Sequence, residues 1–249
     1  MAQCIAHRGW SGQAPENTLA AFERAWSSPI VDGIELDVHL SRDKVPIVIH
    51  DQTVDRTTNG HGLVKSYTVN ELKELDAGSW YKSSFAGETI PTLEEVLREM
   101  DGSTSLTIEL KQRRNIYPGL EEKVSHLLRK YDMAEKTLVG SFDHVAVQKI
   151  KQMDPALHTG LIVMSSPLLV LEQMLTADAD HLMIYHEMLT QELVERIHNQ
   201  GGRVNAWTVD KTAAVQRLYE LSPELLITSN HPDIVWEAVE QGNNDKTDV

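Results

Sequence analysis

Short apolar runs of four to eight residues recur along the chain, separated by segments with helical spacing. The runs at 3–7, 33–40, 45–50, 105–110, 137–142, 158–163, 181–186, 203–209 and 225–228 are rich in β-branched residues and read as strands. Between them lie helical patterns. The first follows Asn17 and carries Leu19, Phe22 and Trp26 on one face; the others cover roughly 93–100, 119–131, 143–152, 168–176, 190–199, 211–220 and 232–240. Strand–helix alternation kept up to the C-terminus implies parallel βαβ units. Taking 33–40 and 45–50 as one hairpin-extended strand leaves eight such units, which predicts a closed TIM-type (β/α)₈ barrel. An open doubly wound sheet is the alternative, but "HRGWSG" after the first strand lacks the spacing of a dinucleotide-binding turn.

Residues 51–92 interrupt the rhythm. The stretch carries turn chemistry in "TTNGHG" and "SSFAGE" and ends at "IPTLEEVL", where Thr92 and Glu95 predict a capping box. It reads as a small insertion after strand 2, over one mouth of the barrel. Trp80, Tyr81 and Phe85 form its own mini-core or a substrate lid, the mini-core being preferred. One domain over 1–240 results, with a disordered tail at 241–249.

Composition narrows the class. No run approaches the roughly 20 apolar residues that span a bilayer, and "MAQCIAHRGW" has no signal-peptide pattern, so the expected compartment is the cytoplasm. The single cysteine, Cys4, excludes an internal disulfide framework and reads as a buried residue of strand 1. A net charge of −14 disfavours nucleic acid and stable association with an anionic membrane. An anionic substrate would therefore need a local cation or a metal.

Residues i and i+2 of a strand share a face. In "GIELDVHL" this pairs Glu35 with Asp37, and in "LTIELK" it pairs Glu109 with Lys111. Carboxylates converging from two strands at a barrel mouth need compensating positive charge. Lys111 supplies one charge, and an oxygen-only donor set favours a hard divalent ion, Mg²⁺ or Ca²⁺. A salt-bridge network centred on Lys111 is the competing reading. The turn near "SRDK" brings His50 opposite Glu35 and Asp37, and strand 1 brings His7 alongside strand 2. Two histidines at an acid cluster suit a general acid and a general base. Arg8 adds a planar donor set suited to phosphate.

The ordered motifs "HRG" with "PENT", "ELDV", "VIHD", "DRTTNG", "IPTLEEVL", "IELK" and "WTV" resemble the glycerophosphodiester phosphodiesterase family in its bacterial, cytoplasmic form, from residue 5 to about 235. The resemblance implies a TIM barrel with an insertion after strand 2. It implies metal-dependent hydrolysis of small glycerophosphodiesters to sn-glycerol 3-phosphate and an alcohol, in lipid and glycerol metabolism. By motif, His7 and His50 would be the catalytic pair, Glu35, Asp37 and Glu109 would hold one divalent ion, and Arg8 and Lys111 would bind phosphate. Glu16 would orient these groups, or simply favour the start of its helix. Trp207 would line the glycerol end. "WTVD" and "ITSNHPD" depart from the usual pattern and leave Asp210 without a role. Arg113 and Arg114 read as a solvated basic loop, with an extension toward an anionic head group as the alternative. Among the other histidines only His186, at a strand end, stands near the expected mouth. Two rivals remain: a phospholipase acting on intact phospholipid, which would need an apolar rim or a basic patch, and a binding module that has kept the pocket.

Overall fold

Residues 33–40 form strand β2 (Gly33–Leu40), and its alternation sets the frame of the molecule. Ile34, Leu36, Val38 and Leu40 join a buried cluster with Phe22, Leu93, Val96 and Val124 from the surrounding helices. Glu35, Asp37 and His39 consequently face the other way, toward the barrel interior. The computed structural model describes residues 3–100 and 102–247, with side chains to residue 240.

Eight parallel strands close into a barrel: β1 (Gln3–Ala6), β2, β4 (Ser105–Leu110), β5 (Thr137–Ser141), β6 (His158–Val163), β7 (His181–Tyr185), β8 (Arg203–Trp207) and β9 (Leu226–Ser229). β1 pairs with β9 on one side and β2 on the other, which completes the ring. β3 (Pro46–Val48) is antiparallel to β2 and also bridges Thr92 through Ile47. The expected hairpin is therefore present but short, and His50 lies just beyond it.

Helices α1 (Leu19–Trp26), α3 (Leu93–Glu99), α4 (Leu120–Lys130), α5 (His144–Met153), α6 (Val170–Ala177), α7 (Gln191–His198), α8 (Thr212–Leu221) and α9 (Pro232–Thr247) alternate with the strands; α2 (Val69–Lys73) belongs to the insertion. Thr18 caps α1 through its side chain. The expected capping box forms at α3, where Thr92 accepts from the Glu95 amide and Glu95 accepts from the Thr92 amide. No helix among the described residues is long and apolar enough to cross a membrane.

Inside the barrel the layers need small residues. A Cβ on Gly140 would lie 2.4 Å from the Met183 sulfur, and one on Gly160 2.9 Å from it. These glycines let Met183 fill the interior with Leu138 and Ile162, beneath Trp207. Above this layer the interior turns polar, at the C-terminal ends of the strands.

The insertion differs from expectation. Its buried core is aliphatic: Val54, Val64, Leu72, Ala77 and Ile90 pack on Ile47 and Ile49 from the β3 edge. Trp80, Tyr81 and Phe85 meet edge to edge outside it, with Trp80 39% exposed. The strand lends the insertion its apolar contacts, so the aromatic residues need not supply them. Tyr81 instead donates from its hydroxyl to the Gly12 carbonyl at 2.9 Å, tying the insertion to the β1–α1 loop. Of the disordered tail expected over 241–249, residues 241–247 continue the backbone of α9, and 248–249 lie outside the described residues.

Candidate active site

Strand β1 hands the chain to the mouth through His7, whose amide continues the ladder to the Ser229 carbonyl at 2.8 Å. A tight bend follows, with Arg8 at φ +57° and Gly9 at φ +75°. A side chain on Gly9 would meet the Ala21 backbone at 2.6 Å, so the bend demands glycine there. Arg8, held in the left-handed region at a cost of order 1 kcal/mol or more, has its amide aimed at Glu35 Oε2, 3.0 Å away.

Glu35, Asp37 and Glu109 converge as the strand alternation predicts: one carboxylate oxygen from each lies within 4.8 Å of the others. Lys111 Nζ stands 2.7 Å from Glu109 Oε1 and 2.9 Å from Asp37 Oδ1. Arg8 reaches Glu16 at 2.8 Å, and its Nε lies 3.2 Å from Asp37 Oδ2. Asn17, at φ +56°, donates to Asp37 Oδ2 at 2.8 Å. Burial opposes ionisation of Asp37, but Lys111 and Arg8 outweigh it and hold its pKa below the ordinary range. Glu35 is pushed well above its ordinary value, by burial first and then by the charge of Asp37. Glu109 is raised too, again chiefly by burial, against the pull of Lys111.

Two cations thus leave this cluster short of positive charge. Asp37 Oδ1 is buried with no well-formed hydrogen bond, although Lys111 is nearby. An all-oxygen set that needs added positive charge fits a hard divalent cation. The Lys111 network, offered above as the competing reading, exists alongside it and does not remove the deficit.

The two histidines flank the cluster in related ways. His7 Nδ1 lies 2.7 Å from Asn230 Oδ1, which also accepts from the Ser11 hydroxyl. Asp210 fixes that amide by accepting from Asn230 Nδ2 at 2.6 Å and from the Asn230 backbone N–H at 2.8 Å. An amide oxygen only accepts, so His7 carries its proton on Nδ1 and turns Nε2 to the site, 3.9 Å from Glu35 Oε2. Burial, then Arg8, lowers the His7 pKa to about 4. His50 Nδ1 lies 2.6 Å from Asp51 Oδ1, which leaves its Nε2 free as well. Arg56 forks between Asp51 and Glu16, with contacts of 2.8 to 3.1 Å. Those hydrogen bonds from Arg56 lead the causes that bring Asp51 down to about 2. Glu16 therefore links the two sides, from Arg8 to Arg56.

His39, two residues past Asp37 on the same face, is fully buried. Its Nε2 lies 3.0 Å from the His50 carbonyl and its Nδ1 2.8 Å from the Tyr117 hydroxyl. The carbonyl can only accept, so Nε2 donates and Nδ1 accepts from Tyr117. The sequence reading passed over His39, although the alternation that marks Glu35 and Asp37 also marks it. It also missed Asp51, Arg56 and Asn230, and left Asp210 unassigned.

Two cavities meet at the cluster. A smaller one of about 230 Å³ is lined by His7, Arg8, Glu35, Met183 and Trp207 among others. An open groove of about 840 Å³ runs past Asp51, Arg113, Arg114 and His144. His50, Glu109, Lys111 and Phe142 line both. Every residue expected at the site from sequence thus lies in one assembly, Asp37 and Glu16 through their ion pairs. Trp207 packs on Phe142 and Tyr185 at ring distances of 5.8 and 6.0 Å. His186 lines neither cavity.

The model of the glycerophosphoryl diester phosphodiesterase family matches residues 7–234. A glycerophosphodiester phosphodiesterase of Caldanaerobacter subterraneus subsp. tengcongensis is 40% identical over 239 residues, covering 96% of this chain and 98% of the relative. One from Bacillus altitudinis is 35% identical, covering 94% and 96%. Among solved structures, an Oleispira antarctica phosphodiesterase in complex with the product sn-glycerol-3-phosphate superposes with a TM-score of 0.88 at 31% identity, covering 96% of this chain and 97% of that one.

Proposed function

The chain belongs to the glycerophosphoryl diester phosphodiesterase family, and we propose that its barrel mouth hydrolyses glycerophosphodiesters to sn-glycerol 3-phosphate and an alcohol by His7–His50 acid–base catalysis. One observation carries this reading. Two histidines flank a carboxylate cluster, each with Nδ1 engaged and Nε2 free toward the site.

The pairings divide the roles. His7 rests against a neutral amide and stays uncharged near neutral pH, so it acts as the general base. Burial lowers the His50 pKa below its ordinary value, opposed by the charge of Asp37 and by the hydrogen bond to the ionised Asp51. With that carboxylate behind its Nδ1 to support an imidazolium, His50 acts as the general acid. His7 takes the proton from the attacking hydroxyl, a water or the 2-hydroxyl of the glycerol, as a new P–O bond forms. His50 gives its proton to the departing alkoxide as the old P–O bond breaks. If the 2-hydroxyl attacks first, water opens the cyclic phosphate in a second step with the roles reversed. Arg8 and Lys111 neutralise phosphate oxygens, which lets a strongly acidic protein take an anion. Held by Glu35, Asp37 and Glu109, a divalent Mg²⁺ or Ca²⁺ ion would supply the remaining positive charge for the transition state.

The test is His7→Ala and His50→Ala, each measured beside a far-ultraviolet circular dichroism spectrum. Each lowers kcat by roughly 10²-fold or more while the spectrum stays native. A wild-type rate in either variant removes that residue from the mechanism.

A second reading has support from one feature. The loop after β6 exposes Met164, Leu168 and Leu169 at 64%, 94% and 60%, and Met164 also lines the smaller cavity. Such an apolar rim, not foreseen from sequence, would suit a substrate whose glycerol still carries an acyl chain. Comparing kcat/KM for glycerophosphocholine and its monoacyl form decides between them: preference for the deacylated diester supports the first reading.

A further inference from the structure

We propose that the open groove binds the leaving alcohol and selects one that carries its own oxyanion, a phosphate or a carboxylate. The inference rests on the hydrolase reading above and deepens it. It begins with where the two histidines stand. His7 and Arg8 line only the smaller cavity, Asp51 lines only the groove, and His50 lines both. A phosphorus between the histidines therefore has the smaller cavity on the His7 side and the open groove on the His50 side. In-line displacement puts the entering and leaving oxygens on opposite sides of phosphorus. The group that His50 protonates consequently leaves into the groove, while the constant glycerol half stays in the cavity beside His7 and Trp207. About 840 Å³ of open space accepts a polar alcohol of considerable size, whereas about 230 Å³ suits a glycerol.

Charge then decides which alcohol. The carboxylates along the groove are already engaged. Asp51 is held by His50 and Arg56, Glu109 by Lys111, and Asp143 accepts from the Arg114 amide at 2.7 Å. His144 is engaged with the Ile162 carbonyl at 3.2 Å. The guanidinium groups of Arg113 and Arg114 have no hydrogen bond or ion pair among the described residues. Consecutive left-handed residues, Arg114 at φ +50° and Asn115 at φ +56°, bend this loop after β4. The uncommitted cations of the groove are thus two guanidiniums, set against one carboxylate, Asp143, that meets only a backbone amide, in a protein of net charge −14. Planar donor forks of this kind pair with phosphate or carboxylate and repel a quaternary ammonium.

The test uses the full-length chain with added Mg²⁺ or Ca²⁺ and four diesters of sn-glycerol 3-phosphate. Their leaving alcohols are choline (cationic), glycerol (neutral), serine (a zwitterion carrying a carboxylate) and glycerol phosphate (anionic). We expect kcat/KM to be highest for the phosphate-bearing alcohol and lowest for choline. The double variant Arg113→Ala with Arg114→Ala narrows that ratio about fivefold, a size fitting two exposed charge contacts. The serine diester tells whether a carboxylate is read as well as a phosphate. Preference for choline in the wild type, or equal losses on all four substrates in the double variant, overturns the inference while leaving the hydrolase reading intact. Release from none of the four overturns both.

Discussion

At the scale of single residues, the site is organised by what each Nδ1 or carboxylate touches. His7 and Asn230 are 223 positions apart in sequence, and only the pairing of β1 with β9 makes them neighbours. That is why Asn230, and Asp210 behind it, could not be read from local spacing. Glu35, Asp37, Glu109 and Lys111 could be, because alternation within one strand is a local rule. Burial also sets the acid stability of the molecule. His181, outside the site, is 4% exposed, its Nδ1 has no partner, and burial brings its pKa down to about 3. An unfolded chain takes up that proton near pH 6.5, well before the folded protein does. The folded state is therefore favoured fully above pH 6.5 and loses stability as pH falls from 6.5 toward 3. Urea unfolding at pH 7 and pH 5 should show this group contributing a loss of about 1 to 2 kcal/mol. In His181→Leu the difference between the two pH values should shrink by that amount; an unchanged difference would show that His181 is not the group responsible.

The elements explain why His50 is where it is. β3 is only three residues long, and the Ile49 amide bonds the Asp37 carbonyl at 3.0 Å, which steers the chain back over the mouth. His39 then fastens the His50 carbonyl, with Tyr117 behind it. We expect His39→Leu to lower kcat about tenfold with KM little changed, as for loss of a group that positions an acid. His39→Gln, which keeps a donor near the position of Nε2, should recover most of it. In a His50→Ala background the His39→Leu change should cost nothing further, which a general loss of stability would not reproduce. An equal further loss in that background would refute a role through His50. The hairpin was legible from its turn residues, and the eight β/α units from their rhythm. The aromatic content of the insertion points to Trp80, Tyr81 and Phe85 as its core, but these rings pack on one another outside the aliphatic core. The apolar contacts come instead from Ile47 within β3 and Ile49 just beyond it.

For the whole molecule, ring closure gathers residues from positions 7 to 230 at one end of the barrel. Within an acidic protein of net charge −14, the mouth gathers Arg8, Arg56, Lys111, Arg113 and Arg114 among the carboxylates of Glu16, Glu35, Asp37, Asp51 and Glu109. The count of units gave closure, since eight parallel strands make a barrel of this kind. The two cavities on either side of His50 were not legible, because loop paths decide them. The carboxylate cluster predicts that binding of Mg²⁺ or Ca²⁺ raises the melting temperature by linkage, and that Asp37→Asn abolishes the rise. A melting temperature indifferent to both ions would argue that the Lys111 network alone occupies the cluster.

The most direct test of the central claim is release of sn-glycerol 3-phosphate from glycerophosphocholine by the purified chain, after EDTA and again with Mg²⁺ or Ca²⁺ restored. We expect no release in EDTA and recovery with at least one of the ions. Undiminished release from protein stripped of metal would contradict the role given to Glu35, Asp37 and Glu109. Absence of release from folded, ion-bound protein, with the glycerol diester as well as with glycerophosphocholine, would contradict the proposed reaction itself.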